Sequence, residues 1–259
     1  MKELKEFDDY TDKLTEYVSE LKRRSNPAAL DVFAEFRKMP REVIDECDIF
    51  YINDATEMLI PSYLENVEDF GVISPTNKKP IFHNRYVMPI KDIDGRILNL
   101  VGYSKDANER YVYGTARYYR RRETMYGLEN LEMAYDLGFA ILTEGITDTI
   151  RLRSLGFKNC FANCGTHKSD FIMKQLNRCR YGVIKVPDRD APGRKALKGW
   201  ETYRGLTLFV PVMYKDPDEF CREAENGCET TKFYLNEAIR WLKLTEHKGI
   251  KTASEIITM

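Results

Sequence analysis

Phe139-Ala140-Ile141-Leu142-Thr143-Glu144-Gly145-Ile146-Thr147-Asp148 is the stretch whose reading decides the fold of this chain. An apolar run of strand length ends in a turn that carries a Glu and an Asp. Helix-like sequence follows, Thr149-Ile150-Arg151-Leu152. The same grammar recurs at Tyr181-Gly182-Val183-Ile184-Lys185-Val186-Pro187, which ends in Asp188-Arg189-Asp190-Ala191-Pro192-Gly193 and runs into Arg194-Lys195-Ala196-Leu197. Two strand–turn–helix units predict an α/β fold with a parallel sheet and flanking helices. Both acidic groups are then expected at the carboxyl ends of strands, where open α/β sheets bind their ligands. Glu144, Asp188 and Asp190 held at one point repel each other, and a divalent cation relieves that repulsion. The pattern predicts a Mg²⁺ or Mn²⁺ site.

Two helix N-caps would also place Asp at such turns. Caps account neither for the Glu before Gly145 nor for the doubled Asp. Glu-Gly-x-x-Asp followed by Asp-x-Asp-x-x-Gly resembles the Toprim domain shared by primases, topoisomerases and related nucleases.

Composition narrows the class. The chain has 259 residues, 43% hydrophobic and 31% charged, with a formal net charge of −1. This suits one large or two small globular domains. It carries no global basic field, so any polyanion surface must be a local patch. No run is apolar enough to span a membrane, and Met1-Lys2-Glu3-Leu4-Lys5 lacks the apolar core of a signal peptide, which predicts a cytoplasmic protein. The six cysteines, Cys47, Cys160, Cys164, Cys179, Cys221 and Cys228, include no Cys-x-x-Cys pair. No zinc site is expected in this chain, and buried thiols are the expected state. His83, His167 and His247 are too scattered to cluster on a metal.

Upstream of the acidic stretch, Lys2 to about Arg24 reads as an amphipathic helix broken at Asn26-Pro27. Ala28–Arg37 and a segment starting at Pro40 read as further helices, Ile49–Ile52 as a strand, and Ala55–Glu68 as a helix interrupted near Pro61. Arg85–Ile90 and Ile97–Tyr103 read as a hairpin, its turn at Asp92–Arg96 placing Gly95 where a positive φ is needed. Between Lys105 and Arg122, Arg110, Arg117, Arg120, Arg121 and Arg122 alternate with Tyr111, Tyr113, Tyr118 and Tyr119. Such a tract can grip phosphates and stack bases, or be a solvated face with Tyr packed inward. Both readings stay open on composition. Downstream, Phe220–Asn226 and Thr230–Leu244 read as helices, the second with an apolar face of Phe233, Tyr234, Leu235, Ala238, Ile239, Trp241 and Leu242. The tail from Glu246 is polar and expected to be loosely held, although Ile256-Ile257 could dock.

The resemblance then becomes specific. Arg85-x-x-Met88-Pro89-Ile90, Gly95-Arg96 and Gly102 resemble the strand–turn–strand that precedes Toprim in DnaG-type primases. Met125-Tyr126-Gly127-Leu128 is similar to that family's Leu-Tyr-Gly-Leu, and Lys215-Asp216-Pro217-Asp218-Glu219 to its Lys-Asp-Pro-Asp-Glu. Phe36–Ile44 and Ile49-Phe50-Tyr51 match further family stretches, so the similarity spans roughly residues 27 to 220. There are departures. Arg189 stands where the family has a small residue, Pro192 where it has Ala, and Gly102-Tyr103-Ser104 where it has Gly-Gly-Arg, so that Lys105 is the only substitute for that Arg.

The resemblance implies a DNA primase core that makes short RNA primers on single-stranded DNA from NTPs by metal-dependent nucleotidyl transfer. Its implied domains are 1–126 (α+β, with the basic tract), 127–218 (Toprim) and 219–259 (helical). Glu144, Asp148, Asp188 and Asp190 would be catalytic. Glu144, Asp188, Asp190, Asp216 and Asp218 would hold Mg²⁺ or Mn²⁺, and Arg85, Lys105, Arg110, Arg121 and Arg122 would hold nucleotide and template. Gly145 and Gly193 would let the backbone approach metal-bound phosphate. No zinc ribbon precedes the core and little room follows it. A zinc-binding module and a replicative helicase on other chains are therefore candidate partners, and a minimal or phage primase is the other option. A Toprim nuclease and a non-catalytic single-strand or helicase-binding protein are the alternatives.

Overall fold

The computed structural model describes residues 2–163, 170–190, 193, 199–200, 204–247 and 256–258. The chain divides into two compact units, Met1–Tyr119 and Arg120–Met259.

The first unit is α+β. Helix α1 (Lys2–Arg24) is followed by α2 (Pro27–Arg37), whose start is fixed by Asn26: its side chain accepts the Ala28 N–H, and Pro27, lacking an N–H of its own, opens the helix. After α3 (Arg41–Glu46) come β1 (Phe50–Ile52), β2 (Arg85–Lys91), β3 (Ile97–Tyr103) and β4 (Tyr111–Tyr113), forming an antiparallel sheet in that order. The hairpin turn between β2 and β3 has Gly95 at φ 80°, as its sequence requires, and Asp92 Oδ1 accepts the amides of Asp94 and Arg96. The inward stripe of α1, Tyr10, Leu14, Tyr17 and Leu21, packs on Phe50, Val87 and Leu100.

Ala55–Glu68 is not the helix that its pattern suggests. Only 3₁₀ turns form, at Ala55–Met58 and Pro61–Tyr63. Pro61 lacks a donor and biases Ile60 away from helical backbone, and Met58 and Ile60 are instead buried in the core beneath α1.

The second unit is a six-stranded sheet between helices. In addition to β5 (Met125–Tyr126), it contains β6 (Phe139–Thr143), β7 (Cys160–Asn163), β8 (Gly182–Val186), β9 (Gly205–Phe209) and β10 (Ile256–Thr258). Their spatial order is β10-β9-β8-β6-β7-β5, all parallel except β5. Helices α4 (Leu131–Leu137), α5 (Ile146–Ser154) and α6 (Asp170–Leu176) join them. The apolar residues of β6 and β8 are explained by burial on both faces, and Lys185 of β8 is buried with them. Ala140, Leu142 and Val183 pack into one core with Met125, Leu131, Phe161 and Leu176, whereas Phe139, Ile141, Ile184 and Val186 pack into another with Leu206 and Leu208.

That second core is closed by the helix Gly227–His247, through Leu235, Ala238 and Leu242. Phe233, expected on its apolar face, is 60% exposed. We expect Leu235→Ala, at a fully buried position, to cost about 3 kcal/mol in a urea titration. A cost near zero would mean that this helix is not part of the core. In the tail, Ile256–Thr258 pairs in parallel with β9, Ile256 opposite Thr207, so that Ile256-Ile257 docks. Residues 248–255 of that tail lie outside the described residues. Cys47, Cys160, Cys179 and Cys221 are buried free thiols, as expected, and Cys228 is a half-buried one. Cys164 and His167 lie outside the described residues, as does most of the helix expected after Asp190. Among the described residues no helix is long and apolar enough to cross a membrane.

Candidate active site

The parallel sheet has one topological switch point. From β6 the chain passes to β7 on one side and then crosses to β8 on the other. At their carboxyl ends β6 and β8 are adjacent, with Thr143 opposite Val186, so the residues that follow each strand project from neighbouring ends. Those residues are Glu144 and Asp188. Glu144 Oε1 accepts the Asp188 backbone N–H at 2.9 Å, which ties the two strand ends together.

Around this tie the other acidic residues gather. Asp148, on the first turn of α5, accepts the Asp218 backbone N–H on Oδ1 at 3.1 Å. Asp190 Oδ1 accepts the Gly193 N–H at 2.8 Å. Asp216 caps the helix Pro217–Glu223, its Oδ1 accepting the Glu219 N–H at 2.8 Å. The space left by the glycines is taken by the cluster itself. A Cβ on Gly145 would lie 2.4 Å from Asp148 Oδ2, and one on Gly193 2.2 Å from the Asp188 carbonyl and 2.7 Å from Glu144 Oε1.

The cation at the centre is Lys215. Its Nζ lies 3.0 Å from Asp188 Oδ2, 3.5 Å from Asp190 Oδ2 and 3.9 Å from Asp216 Oδ2. Asp188 Oδ1 is buried with no hydrogen-bond partner. In this arrangement no set of three or more His, Cys, Asp or Glu side chains among the described residues closes on a single metal ion.

Burial and mutual repulsion dominate the electrostatics. Glu144 is pushed up to about 7, first by burial and then by Asp188 and Asp190. Asp148 is driven well above the usual carboxylate range by burial, then by Asp216, Asp188 and Asp218. Asp188 and Asp216 are raised too, mainly by burial; Lys215 pulls both the other way without cancelling it. Burial works against the Lys215 ammonium, but Asp188, Asp216 and Asp190 outweigh it and hold it above its ordinary value.

A carboxyl raised in the folded state keeps its proton over a range where the unfolded chain has lost it. Its contribution to stability is present below the ordinary value and is lost as pH rises through the folded one. With chelator present, the unfolding midpoint should therefore fall between pH 4.5 and about 7 through Glu144. Glu144→Gln should flatten that fall, and Mg²⁺ should reverse it at neutral pH. A midpoint that climbs through this range would contradict the assignment. Differential scanning fluorimetry reads it.

Two arginines that sequence reading passed over brace the site. Arg151, 1% exposed, donates from Nε to Asp218 Oδ1 at 3.0 Å, and Arg222 Nε donates to Asp218 Oδ2 at 3.0 Å. Both Asp218 oxygens thus carry a guanidinium. Arg189, at the position where a small residue was expected, lies over the Phe209 ring at 4.8 Å and donates to the Val210 carbonyl.

The expected nucleotide-binding cations fall in both units. Arg85 in the first is 8% exposed, and its Nη1 donates to the carbonyls of Glu109 and Arg110 at 3.0 and 3.2 Å. It braces the start of β4. Lys105 and Arg110 are exposed, Lys105 lying over the Phe36 ring at 4.6 Å. Arg121 and Arg122, in the second unit, are exposed. Of the tyrosines, Tyr118 packs edge-on against Phe7 and Tyr10, and Tyr119 joins the same core, so for these two the inward reading holds.

No family model matches the chain. The curated DNA primase of Aquifex aeolicus (strain VF5) is 34% identical over 180 residues, which is 64% of this chain and 35% of that protein. This chain therefore spans about a third of that relative's length. Among solved structures, the Aquifex aeolicus primase (zinc-binding and RNA polymerase domains) matches with a TM-score of 0.75 at 27% identity, over 90% of this chain and 61% of that one. The DnaG primase catalytic domain bound to single-stranded DNA matches with a TM-score of 0.72 over 93% of this chain and 84% of that one; at 18% identity this likeness concerns the fold. By sequence and by fold, the chain is similar to the catalytic cores of DnaG-type DNA primases.

Proposed function

We propose that the chain is the catalytic core of a DNA primase, joining NTPs into short RNA primers on a single-stranded DNA template. The observation that carries this reading is the acidic centre at the switch point, whose carboxylates are raised by burial and whose Asp188 Oδ1 lacks any partner. Oxygen donors in a buried, mutually repelling set fit a hard divalent cation, Mg²⁺ or Mn²⁺. Glu144, Asp188, Asp190 and Asp216 would hold it. When bound, such an ion neutralises charge on the triphosphate and activates the attacking hydroxyl.

The remaining roles belong to the chain's own groups. Glu144 fixes the geometry between the two strand ends through the Asp188 amide. Asp148 and Asp218 tie α5 to the helix Pro217–Glu223, which places Asp216. Asp218 thus acts on the ion through position, its oxygens being held by Arg151 and Arg222. Each unit offers its own exposed cations to nucleotide or template phosphates, Lys105 and Arg110 in the first and Arg121 and Arg122 in the second, and Arg85 braces the backbone of Arg110. We assign the first unit, residues 1–119, to the template-gripping part and the second, residues 120–259, to the Toprim domain with its closing helix; the boundaries expected at 126 and 218 fall inside the second unit, where Met125–Tyr126 and Ile256–Thr258 are strands of one sheet. We place the protein with the replication machinery in the cytoplasm. A zinc-binding module and a replicative helicase are the candidate partners of this core.

The test is incubation of purified protein with single-stranded DNA, labelled NTPs and Mg²⁺ or Mn²⁺, resolved on a denaturing gel. Short template-dependent oligomers support the primase. Template degradation without synthesis would instead identify a nuclease built on the same carboxylates.

A further inference from the structure

Lys215 is the one basic side chain that an ion pair places among the Asp188, Asp190 and Asp216 carboxylates, as far as the described residues show. Its side chain is half exposed, at 51%, so it reaches the cluster from the solvent side. The backbone that carries it is fixed. The Arg189 N–H donates to the Lys215 carbonyl at 2.7 Å, and Asp216 caps the next helix. The ammonium can therefore swing on its four-carbon stem while its Cα stays docked against the Asp188–Asp190 turn. Asp188 offers it only Oδ2. Oδ1 remains buried and unpartnered in a residue 9% exposed, so the ammonium leaves part of the acidic centre unsatisfied.

We propose that Lys215 is a tethered counter-cation that holds the acidic centre together until a divalent ion displaces it, so that metal entry is an exchange of ammonium for metal. This rests on the reading of the centre as a metal site. The physical basis is competition. A single positive charge on three carboxylates lowers the repulsion that would otherwise splay them, yet it blocks the Asp188 and Asp190 oxygens that an ion needs. A divalent cation brings twice the charge and can engage Oδ1 as well, so it wins at sufficient concentration. Lys215 thereby sets the metal concentration at which the site loads, and its displaced ammonium becomes available to a polyanion such as the triphosphate.

Mn²⁺ titration of the full chain, followed by the electron paramagnetic resonance signal of the free ion, tests this. Lys215→Met keeps the stem and removes the charge, and should bind Mn²⁺ roughly tenfold more tightly than the unsubstituted chain. Lys215→Arg should bind close to the unsubstituted value. Equal or weaker binding by Lys215→Met would overturn the proposal. Asp188→Asn separates the two levels: if it leaves Mn²⁺ binding intact, the metal site itself is misassigned and the exchange falls with it. A measurement on the unsubstituted chain guards against a variant that does not fold. Reductive methylation read by mass spectrometry should show Lys215 modified several-fold faster when Mn²⁺ is present, with exposed Lys232 unchanged. A Lys215 rate indifferent to Mn²⁺ would count against displacement.

Discussion

Asp188→Asn is expected to lower primer synthesis roughly a thousandfold or more without lowering the unfolding midpoint. The two halves of this expectation have one cause. Asp188 lies two residues past the end of β8 and meets Lys215, Asp190 and Asp216 while leaving Oδ1 unpartnered in the interior. Its ionised form is disfavoured by burial and by Asp216 and Asp190, more than Lys215 repays. An amide of the same shape removes that unfavourable charge, so the fold should be as stable as before or slightly more so. It also removes the ligand on which the proposed metal depends. Activity and stability should then part company, as they do where a site retains strain for function. A variant that is both inactive and unfolded would indicate that Asp188 serves the fold. One that is fully active would remove it from the catalytic set.

The second large effect concerns stability. Arg151→Met should cost about 3 to 5 kcal/mol in a denaturant titration, because it leaves the Asp218 carboxylate buried with Arg222 alone. Arg151 and Asp218 are 1% and 3% exposed, in α5 and in the helix Pro217–Glu223. Both helices bear site residues, Asp148 on the first and the Asp216 cap on the second, and the Asp218 N–H to Asp148 Oδ1 bond joins them again. Loss of the pair should therefore also weaken Mn²⁺ binding. The double variant Arg151→Met, Asp218→Leu should recover most of the stability, since a buried ion pair is replaced by apolar contact, but not the metal affinity. Recovery of both would mean that the pair has no part in placing Asp216.

How much of this was legible in the sequence depends on the range of the interaction. Strands β6 and β8 and the turns after them are local: a short apolar run bounded by turn residues reads as a buried strand, and the acidic residues sit on its end. The β2–β3 hairpin was legible for the same reason, with Gly95 supplying the positive φ. Ala55–Glu68 reads as a helix interrupted near Pro61, but the pieces on either side of that break are too short to sustain α-helix, and only 3₁₀ turns form, at Ala55–Met58 and Pro61–Tyr63. Ile256–Thr258 was undervalued because its partner β9 lies some fifty residues earlier in the chain, and short β-branched runs gain strand character from such partners.

The site shows the same division. That Glu144 would meet Asp188 followed from two strand ends. That Asp218 would be held by Arg151 and Arg222, or that Lys215 would stand among the carboxylates, did not, because these contacts depend on how α5 and the helix Pro217–Glu223 pack. Arg85 is different. It shares the alternation of Val87 on β2, where the side chain at 87 is wholly buried, so the period-two rule could have marked it as an inward residue that supports the tract. Tyr118 belongs with Phe7 and Tyr10, and no local pattern distinguishes that tyrosine from one that stacks on a base.

The measurement that bears most directly on the metal-site reading is an anomalous difference map from crystals of the chain grown with Mn²⁺. The account predicts a peak at the ends of β6 and β8 touching Asp188 and Asp190, with the Lys215 ammonium moved off Asp188 Oδ2. A chain that carries no Mn²⁺ peak among these carboxylates while Lys215 stays in place would contradict it.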